Sequence, residues 1–279
     1  MSVALVTGCS SGIGRATALA LRATGAEVFA TARRPERLAG LEGIDAAHRL
    51  ELDVTDPATI ERALAVTGPV DLLVNNAGYA LVGAVEEVAD EELREQYEVN
   101  VFGPWRLCRA VLPAMRERGA GTIVNVSSYG AEMPYPGIGA YRSSKAALEA
   151  MSATLHLEVA RFGVRVLLIQ PGLVETDFDG AAVAPGGALA AYDPMRDAAE
   201  RAYERMSPAP GLVPGAVAAA IVAELERGAG PLRVAVGADA ERNLAAVRSG
   251  QEGFERYLDR ELELRWRPPQ AEGRGSDDR

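Results

Sequence analysis

Two residues in the stretch "AYRSSKAALEAM" (140–151) have types and a spacing that could move a proton. Tyr141 and Lys145 are four apart, so a helix would set both on one face. A tyrosine ordinarily titrates near pH 10, too high for ready proton exchange at neutral pH. A positive neighbour stabilises the phenolate and lowers that value. A fall of three units requires about 4 kcal/mol, within reach of charges in a partly dry cleft. Lys145 is also the only lysine in the chain; of 29 cationic side chains, every other one is arginine. The position therefore calls for something that a compact ammonium with three rotatable donors does and a planar guanidinium does not.

Such a helix needs a scaffold. Short, nearly continuous apolar runs at 3–7, 27–32, 71–76, 122–128, 164–170 and 232–236 predict strands buried on both faces, with a further short strand near His48 to Leu52. Helical patterns lie between and after them at 12–24, 57–66, 90–118, 139–162, 214–227 and 239–262. This alternation predicts an α/β fold: a Rossmann-type, doubly wound parallel sheet of about seven strands with helices on both faces. We read residues 1–267 as a single domain. The Ala-, Pro- and Gly-rich stretch 177–213 interrupts the alternation as a loop or lid, and the polar tail 268–279 is expected to be disordered.

The first strand runs into "TGCSSGIGRATAL". Gly8 permits a tight turn, and Gly12 and Gly14 allow close approach of backbone, ligand and helix. The N-terminus of the following helix offers free N–H groups to a pyrophosphate, with Ser10, Ser11 and Ile13 on the same turn. An NAD site wants an acid at the end of the second strand. Here that strand ends "ATARRPE", with Ala32 in the acid's place and Arg33 and Arg34 after it. Arginine binds a ribose 2′-phosphate that a carboxylate would repel. The expected cofactor is therefore NADP(H), preferred over NAD(H), with Arg33 the main contact.

The spacing T-G-x-x-x-G-x-G, together with the Tyr-x-x-x-Lys pair, resembles the short-chain dehydrogenase/reductase family. The resemblance covers about residues 3–236, and the segment after "PGLVET" resembles the hydroxysteroid and retinol dehydrogenase branch. It implies that Asp53 and Val54 contact the adenine. Asn76, Ala77 and Gly78 of "NNAG" would line the adenine ribose. Pro171, Gly172, Val174 and Thr176 of "PGLVET" would seat the nicotinamide. It further implies a catalytic set of Asn100, Ser128, Tyr141 and Lys145. In that set Ser128 holds the substrate oxygen, Lys145 bonds the nicotinamide ribose, and Asn100 holds a water that relays protons. The expected activity is that of an NADP(H)-dependent carbonyl reductase or alcohol dehydrogenase. The alternative is a non-catalytic NADP(H)-binding regulatory protein, which would not need Ser128, Tyr141 and Lys145 together. An epimerase or dehydratase would need a larger C-terminal domain.

The apolar residues of 177–213, with Met133 and Tyr135, suggest a hydrophobic cleft for a medium to large ketone or secondary alcohol. Phe178, Tyr192 and Met195 are the candidate contacts on that stretch. A helix stripe of Leu148, Met151, Leu155, Val159 and Phe162 reads first as core. The resemblance adds pairing of this helix and the 100–118 helix across subunits, hence a homodimer or homotetramer. The net charge of −10 makes nucleic acid and anionic membrane poor partners. Two distant cysteines and two histidines have no metal-ligand spacing, so no metal is expected. The "MSVALVTG" start lacks a signal-peptide pattern, and a reducing cytoplasm is the expected location.

Overall fold

The computed structural model describes residues 2–175, 182–206, 211–260 and 262–264. The chain begins β1 (Val3–Val6), α1 (Gly12–Ala23), β2 (Glu27–Ala32), β3 (Arg49–Glu51), α2 (Pro57–Thr67) and β4 (Leu72–Asn75). It continues through the short β5 (Ala80–Leu81), α3 (Asp90–Tyr97), α4 (Gly103–Arg118), β6 (Gly121–Val126), α5 (Gly139–Val159) and β7 (Val164–Pro171). The last third holds β8 (Ala182–Val183), α6 (Asp193–Met206), α7 (Pro214–Arg227), β9 (Arg233–Val236), α8 (Ala238–Arg248) and α9 (Gln251–Arg260). Seven strands form one parallel sheet in the order β3-β2-β1-β4-β6-β7-β9. The order reverses between β1 and β4, and in such sheets ligands bind beyond the carboxyl ends of the strands at that point.

Successive strand residues point to opposite faces, and both faces are dry. Val6, Val28, Val74, Val124, Leu167 and Ile169 pack with Ala18 and Leu21 of α1 and Val217 and Ile221 of α7. Leu5, Phe29, Leu73, Ile123 and Val166 pack on the other face with Leu107, Val111 and Met115 of α4 and Leu155 and Val159 of α5. Each such side chain, once buried, is worth about 1.5–3 kcal/mol. The Leu148–Leu155–Val159 part of the α5 stripe is thus core.

Three elements depart from the sequence reading. The pattern at 90–118 is interrupted by a π-helix at Glu98–Phe102. The pattern at 239–262 is two helices, α8 and α9, broken at Gly250, whose φ of 89° favours glycine. Within 177–213 lie α6 and the strand β8, which pairs in parallel with β5 in a separate two-stranded sheet. With α8 and residues up to Leu264, α6 builds a third apolar cluster of Tyr129, Met133, Ala202, Met206, Ala240, Leu244 and Leu262. Among the described residues no helix is long and apolar enough to cross a membrane. Thr176, Phe178 and the tail 268–279 lie outside the described residues.

Candidate active site

The glycine-rich turn joins β1 to α1 at the switch point of the sheet. Gly8 has φ of 71°, and a Cβ there would stand 2.9 Å from the Ala77 Cα. A Cβ on Gly14 would run into the Gly8 carbonyl, so the turn folds back closely on the helix. Ser11 is the N-cap, with extended backbone and no side-chain capping bond, and the first turn of α1 carries no acid. The hydroxyl and the first N–H groups are thereby suited to an anion. Ser10 is exposed, and Gly12 and Ile13 are half-buried. The turn is tied to the segment after β4. Thr7 Oγ1 accepts from the backbone N–H of Asn76 and of Ala77, each at 3.0 Å, and Asn76 Nδ2 donates to the Thr7 carbonyl at 2.9 Å. Cys9 is buried beneath, its thiol pushed up to about 12 by burial.

At the end of β2, Ala32 is buried while Arg33 and Arg34 are exposed at the rim. Asp53 is engaged within its own turn, accepting from Thr55 N at 2.9 Å and Thr55 Oγ1 at 2.7 Å. Val54 is buried beneath the start of α4, where a Cβ on Gly103 would meet it at 2.7 Å. Tyr79, which sequence reasoning passed over, lies where the charges of Glu95, Glu92 and Arg33 all reach its phenol. Burial first, then the two carboxylates, raise it above its ordinary value, and Arg33 opposes them.

The catalytic candidates sit along a polar seam between β6, with the two residues after it, and α5. Asn125 Nδ2 donates to Ser152 Oγ at 2.7 Å. Lys145 Nζ donates to the Val126 carbonyl at 2.9 Å. Ser127 Oγ donates to Glu149 Oε1 at 2.8 Å. Ser128 is hydrogen-bonded to the Tyr141 phenol, and its Oγ accepts from Gly130 N at 3.0 Å. Four consecutive residues therefore each hold one of Tyr141, Lys145, Glu149 and Ser152. Lys145 Nζ is 5.9 Å from the centroid of the Tyr141 ring. A Cβ on Gly78 would stand 3.1 Å from Asn100 Oδ1 and 3.6 Å from Lys145 Nζ, so Gly78 lies against both side chains.

Burial pushes Tyr141 up to about 12, with the Ser128 hydrogen bond opposing. Burial pushes Lys145 down to about 8, with the charge of Glu149 opposing. Burial thus shifts both groups towards their uncharged forms.

Asn100 lies in the π-helix, where Gly103 N donates to Glu98 O, five residues back. Its Nδ2 donates to the Tyr79 carbonyl and to Ser144 Oγ, each at 3.0 Å, and its Oδ1 accepts from Tyr79 N at 3.2 Å. The sequence signal for this interruption was Pro104, which has no N–H for the Asn100 carbonyl four residues back and crowds it. Such turns recur at functional sites.

The segment after β7 closes the site. Gly172 N donates to Val236 O at 2.9 Å and Leu173 N to Asp239 Oδ2 at 2.6 Å. A Cβ on Gly172 would overlap the Asp239 carboxylate, and Asp239 Oδ1 is buried without a partner among the described residues. Pro171 is buried, and Val174 bridges to Leu212.

On the substrate side, Met133 is buried in the third apolar cluster, and Tyr135 packs against it with its hydroxyl bonded to the Ala199 carbonyl of α6. Met195 is half-buried, and Tyr192 donates to Glu86 Oε2 at 2.6 Å. The stretch 182–196 is latched rather than loose. Buried Glu87 accepts from Leu189 N and Ala84 N, each at 2.8 Å, and from Arg196 at 2.6 Å. Gly186 N donates to Glu92 Oε1 at 3.0 Å.

The comparisons with known proteins agree with this geometry. The family model described as short chain dehydrogenase matches residues 2–185. The oxidoreductase YusZ of Bacillus subtilis is 42% identical over 184 residues, 62% of this chain and 65% of that protein. A 3-ketodihydrosphingosine reductase of Bacteroides thetaiotaomicron is 40% identical over 63% of this chain and 65% of its own. The chain thus spans slightly under two thirds of the length of these two relatives. A short-chain dehydrogenase from Streptomyces avermitilis superposes with a TM-score of 0.77 at 41% identity, covering 92% of this chain and 94% of that one. One from Burkholderia cenocepacia, in complex with NADP, gives 0.73 at 29% identity over 92% and 97%. A 3-ketoacyl-(acyl-carrier-protein) reductase from Brucella melitensis, complexed with NADH, gives 0.70 at 29% identity over 86% and 98%. A parallel seven-stranded sheet, a glycine turn at its switch point and a family match over residues 2–185 lead to one conclusion: the chain belongs to the short-chain dehydrogenases, a family of nicotinamide-dependent oxidoreductases.

Proposed function

We propose that the protein is an NADP(H)-dependent carbonyl reductase, or alcohol dehydrogenase in reverse, acting on a medium to large hydrophobic ketone or secondary alcohol. The observation that carries this reading is the seam that holds Ser128, Tyr141 and Lys145 side by side at the carboxyl end of β6. A regulatory protein that only binds the dinucleotide has no use for all three.

The residues fit a dinucleotide: the glycine turn leaves open the space a Cβ would fill, and the N-terminus of α1 carries uncapped donors and no acid. The Gly8–Gly14 turn, including Ser10, Ser11, Gly12 and Ile13, would hold the pyrophosphate. Asp53, Val54, Asn76, Ala77 and Gly78 would flank the adenosine half. Pro171, Gly172, Val174 and Thr176 would face the nicotinamide. The exposed Arg33 and the buried Ala32 support NADP(H) over NAD(H).

When bound, the nicotinamide supplies or takes the hydride and, oxidised, adds positive charge to the site. Tyr141 then gives its proton to the substrate oxygen as negative charge develops there. Ser128, fixed by Gly130 N, donates a second hydrogen bond to that oxygen. Lys145 has three N–H donors, one of them on Val126 O, which leaves two for the two ribose hydroxyls. The Asn100 amide is already engaged by Tyr79 and Ser144, so the relaying water that the resemblance assigns to this residue would be held by its main-chain carbonyl.

Support for the substrate class comes from the apolar residues Met133 and Tyr135 beneath α6 and from the Bacteroides relative, named a 3-ketodihydrosphingosine reductase. Exposed Phe102 and Trp105 at α4 and Leu157 on α5 support assembly with further copies as a homodimer or homotetramer. Two buried, unpaired thiols suit a reducing cytoplasm.

The test is the decay of NADPH absorbance with a panel of hydrophobic ketones, beside Tyr141→Phe. Turnover that Tyr141→Phe abolishes upholds the reading. NADPH binding with no turnover on any ketone favours the regulator.

A further inference from the structure

Glu149 is 4% exposed, a rare place for a carboxylate, and it lies one helical turn beyond Lys145 on the same face of α5. Both of its carboxylate oxygens are engaged by side-chain donors. Oε1 accepts from Ser127 Oγ at 2.8 Å and from Gln170 Nε2 at 2.9 Å, and Oε2 accepts from Arg233 Nε at 2.9 Å. Gln170, 1% exposed, gives its amide also to Glu132 Oε1 at 2.8 Å, and Glu132 in turn accepts from Arg248 at 2.6 and 3.0 Å. The network draws on β6, β7, β9 and α8 to hold one carboxylate on the buried side of the catalytic helix. Buried ion pairs are weak devices for stability alone, because desolvation offsets much of their attraction.

We propose that Glu149 is a positioning residue for Lys145: fixed by Ser127, Gln170 and Arg233, its carboxylate is the counter-charge that keeps the ammonium protonated and aimed at the cofactor. This rests on the reading above, in which Lys145 bonds the cofactor ribose. Adjacent strand residues hold the two side chains, Val126 O the ammonium and Ser127 Oγ the carboxylate, so their relation is set by the strand and not by free rotamers.

The groups around the pair fix the sign of its pH dependence. Lys145 faces the Tyr141 phenol on its own helix, the neutral Val126 carbonyl on β6 and, across Gly78, the neutral Asn100 amide. Glu149 faces Arg233 on β9 and, through Gln170, Glu132; the charge of Arg248 on α8 also reaches it. Burial drives Lys145 down to about 8 and Glu149 is the charge that resists. A lysine depressed in this way loses its proton as pH rises through its folded value. Removing the Glu149 charge must move that loss to lower pH. Removing Arg233, which competes for Glu149, must move it to higher pH.

The experiment titrates NADPH into the wild type, Glu149→Gln and Arg233→Gln from pH 6.5 to 10, following the cofactor's fluorescence, with a melting curve for each protein. Wild-type affinity should fall through a midpoint near pH 8. In Glu149→Gln the midpoint should drop by about one unit, so that Kd is about fivefold weaker at pH 8 and within about twofold at pH 6.5. In Arg233→Gln it should rise by about half a unit. A purely structural role for Glu149 would weaken both variants alike at every pH. An unmoved midpoint in Glu149→Gln, or shifts of the same sign in both, overturns the proposal. If Glu149→Gln does not fold, Arg233→Gln decides: a rise supports the proposal, and no rise overturns it. Wild type that binds no NADPH at any pH overturns the cofactor reading and this proposal with it. Binding without turnover on ketones sinks only the activity.

Discussion

Lys145 Nζ reaches the Val126 carbonyl at 2.9 Å from a side chain that is 5% exposed, with the Gly78 backbone and Asn100 closing the other side. The one lysine of the chain is thus buried, with its ammonium anchored on a strand carbonyl. Lys145→Arg keeps the charge and the helix propensity. Its wider head should push against Gly78 and Val126 and displace the ribose site. Misplacement of about 1 Å can cost on the order of 100-fold. We expect a folded variant with turnover down at least about 100-fold, and Tyr141→Phe at least as impaired. Steady-state NADPH oxidation beside melting curves checks this; near-normal turnover in Lys145→Arg would remove the lysine from the chemistry.

Arg33 is exposed, so truncating it should leave the melting temperature alone while changing cofactor choice. A charged hydrogen-bond site is worth roughly 1.5–3 kcal/mol, or roughly 10- to 100-fold in relative affinity. Arg33→Ala should lower the preference for NADPH over NADH by that factor. Equal Kd values for the two cofactors in the wild type would end the argument for NADP(H).

Gly172 and Asp239 are in contact such that a Cβ on the first overlaps the carboxylate of the second. Gly172→Ala should cost about 1–3 kcal/mol through overpacking. Asp239→Ala leaves the Leu173 N–H without its acceptor, at a cost of about 1–3 kcal/mol. Because the second change makes room for the first, the double variant should lose less than the sum of the two. Urea denaturation of all four proteins measures the coupling; strict additivity would mean that the two residues do not meet.

Glu87 is held below its ordinary carboxylate range by the Leu189 N–H and then the Ala84 N–H; burial works against this, and Arg196 assists. A depressed carboxylate contributes above its unfolded value and stops contributing as pH falls through its folded value. The latch on 182–196 should therefore hold at neutral pH and slacken in acid, below the ordinary carboxylate range. Glu87→Gln should slacken it at pH 7. Hydrogen exchange across 182–196 reads this directly; equal protection in wild type and Glu87→Gln at pH 7 would show that the carboxylate holds nothing.

The main sheet was readable because its strands are buried on both faces, and runs such as "DLLVNN" and "VRVLLIQ" admit few other readings. The glycine turn and the Tyr141–Lys145 pair were readable for a similar reason: each is local, with a spacing that carries its own geometry. What escaped was non-local. Ala80–Leu81 and Ala182–Val183 are too short to show a period, and they pair across a hundred residues. The helix α6 hides among Pro and Gly, its exposed face full of Arg, Asp and Glu. Glu149 reads as an ordinary surface residue of a helix until Ser127, Gln170 and Arg233 from three strands are seen to converge on it. The spacing of Tyr141 and Lys145 reports nearness and says nothing of the burial that shifts both towards their uncharged forms.

The seam between residues 125–128 and α5 also divides the chain into parts that can and cannot vary. Asn125 to Ser128 and Tyr141 to Ser152 are matched one to one, so inserting or deleting a residue in either run would slip several pairings at once. In the connection between them, 129–139, the fixed points are Gly130, which holds Ser128, and Glu132, which bonds Gln170 and Arg248. The connection also holds Met133 and Tyr135, which touch the apolar cluster under α6. Side-chain changes at Met133 and Tyr135 can therefore alter the packing under α6 while Ser128, Tyr141 and Lys145 keep their alignment.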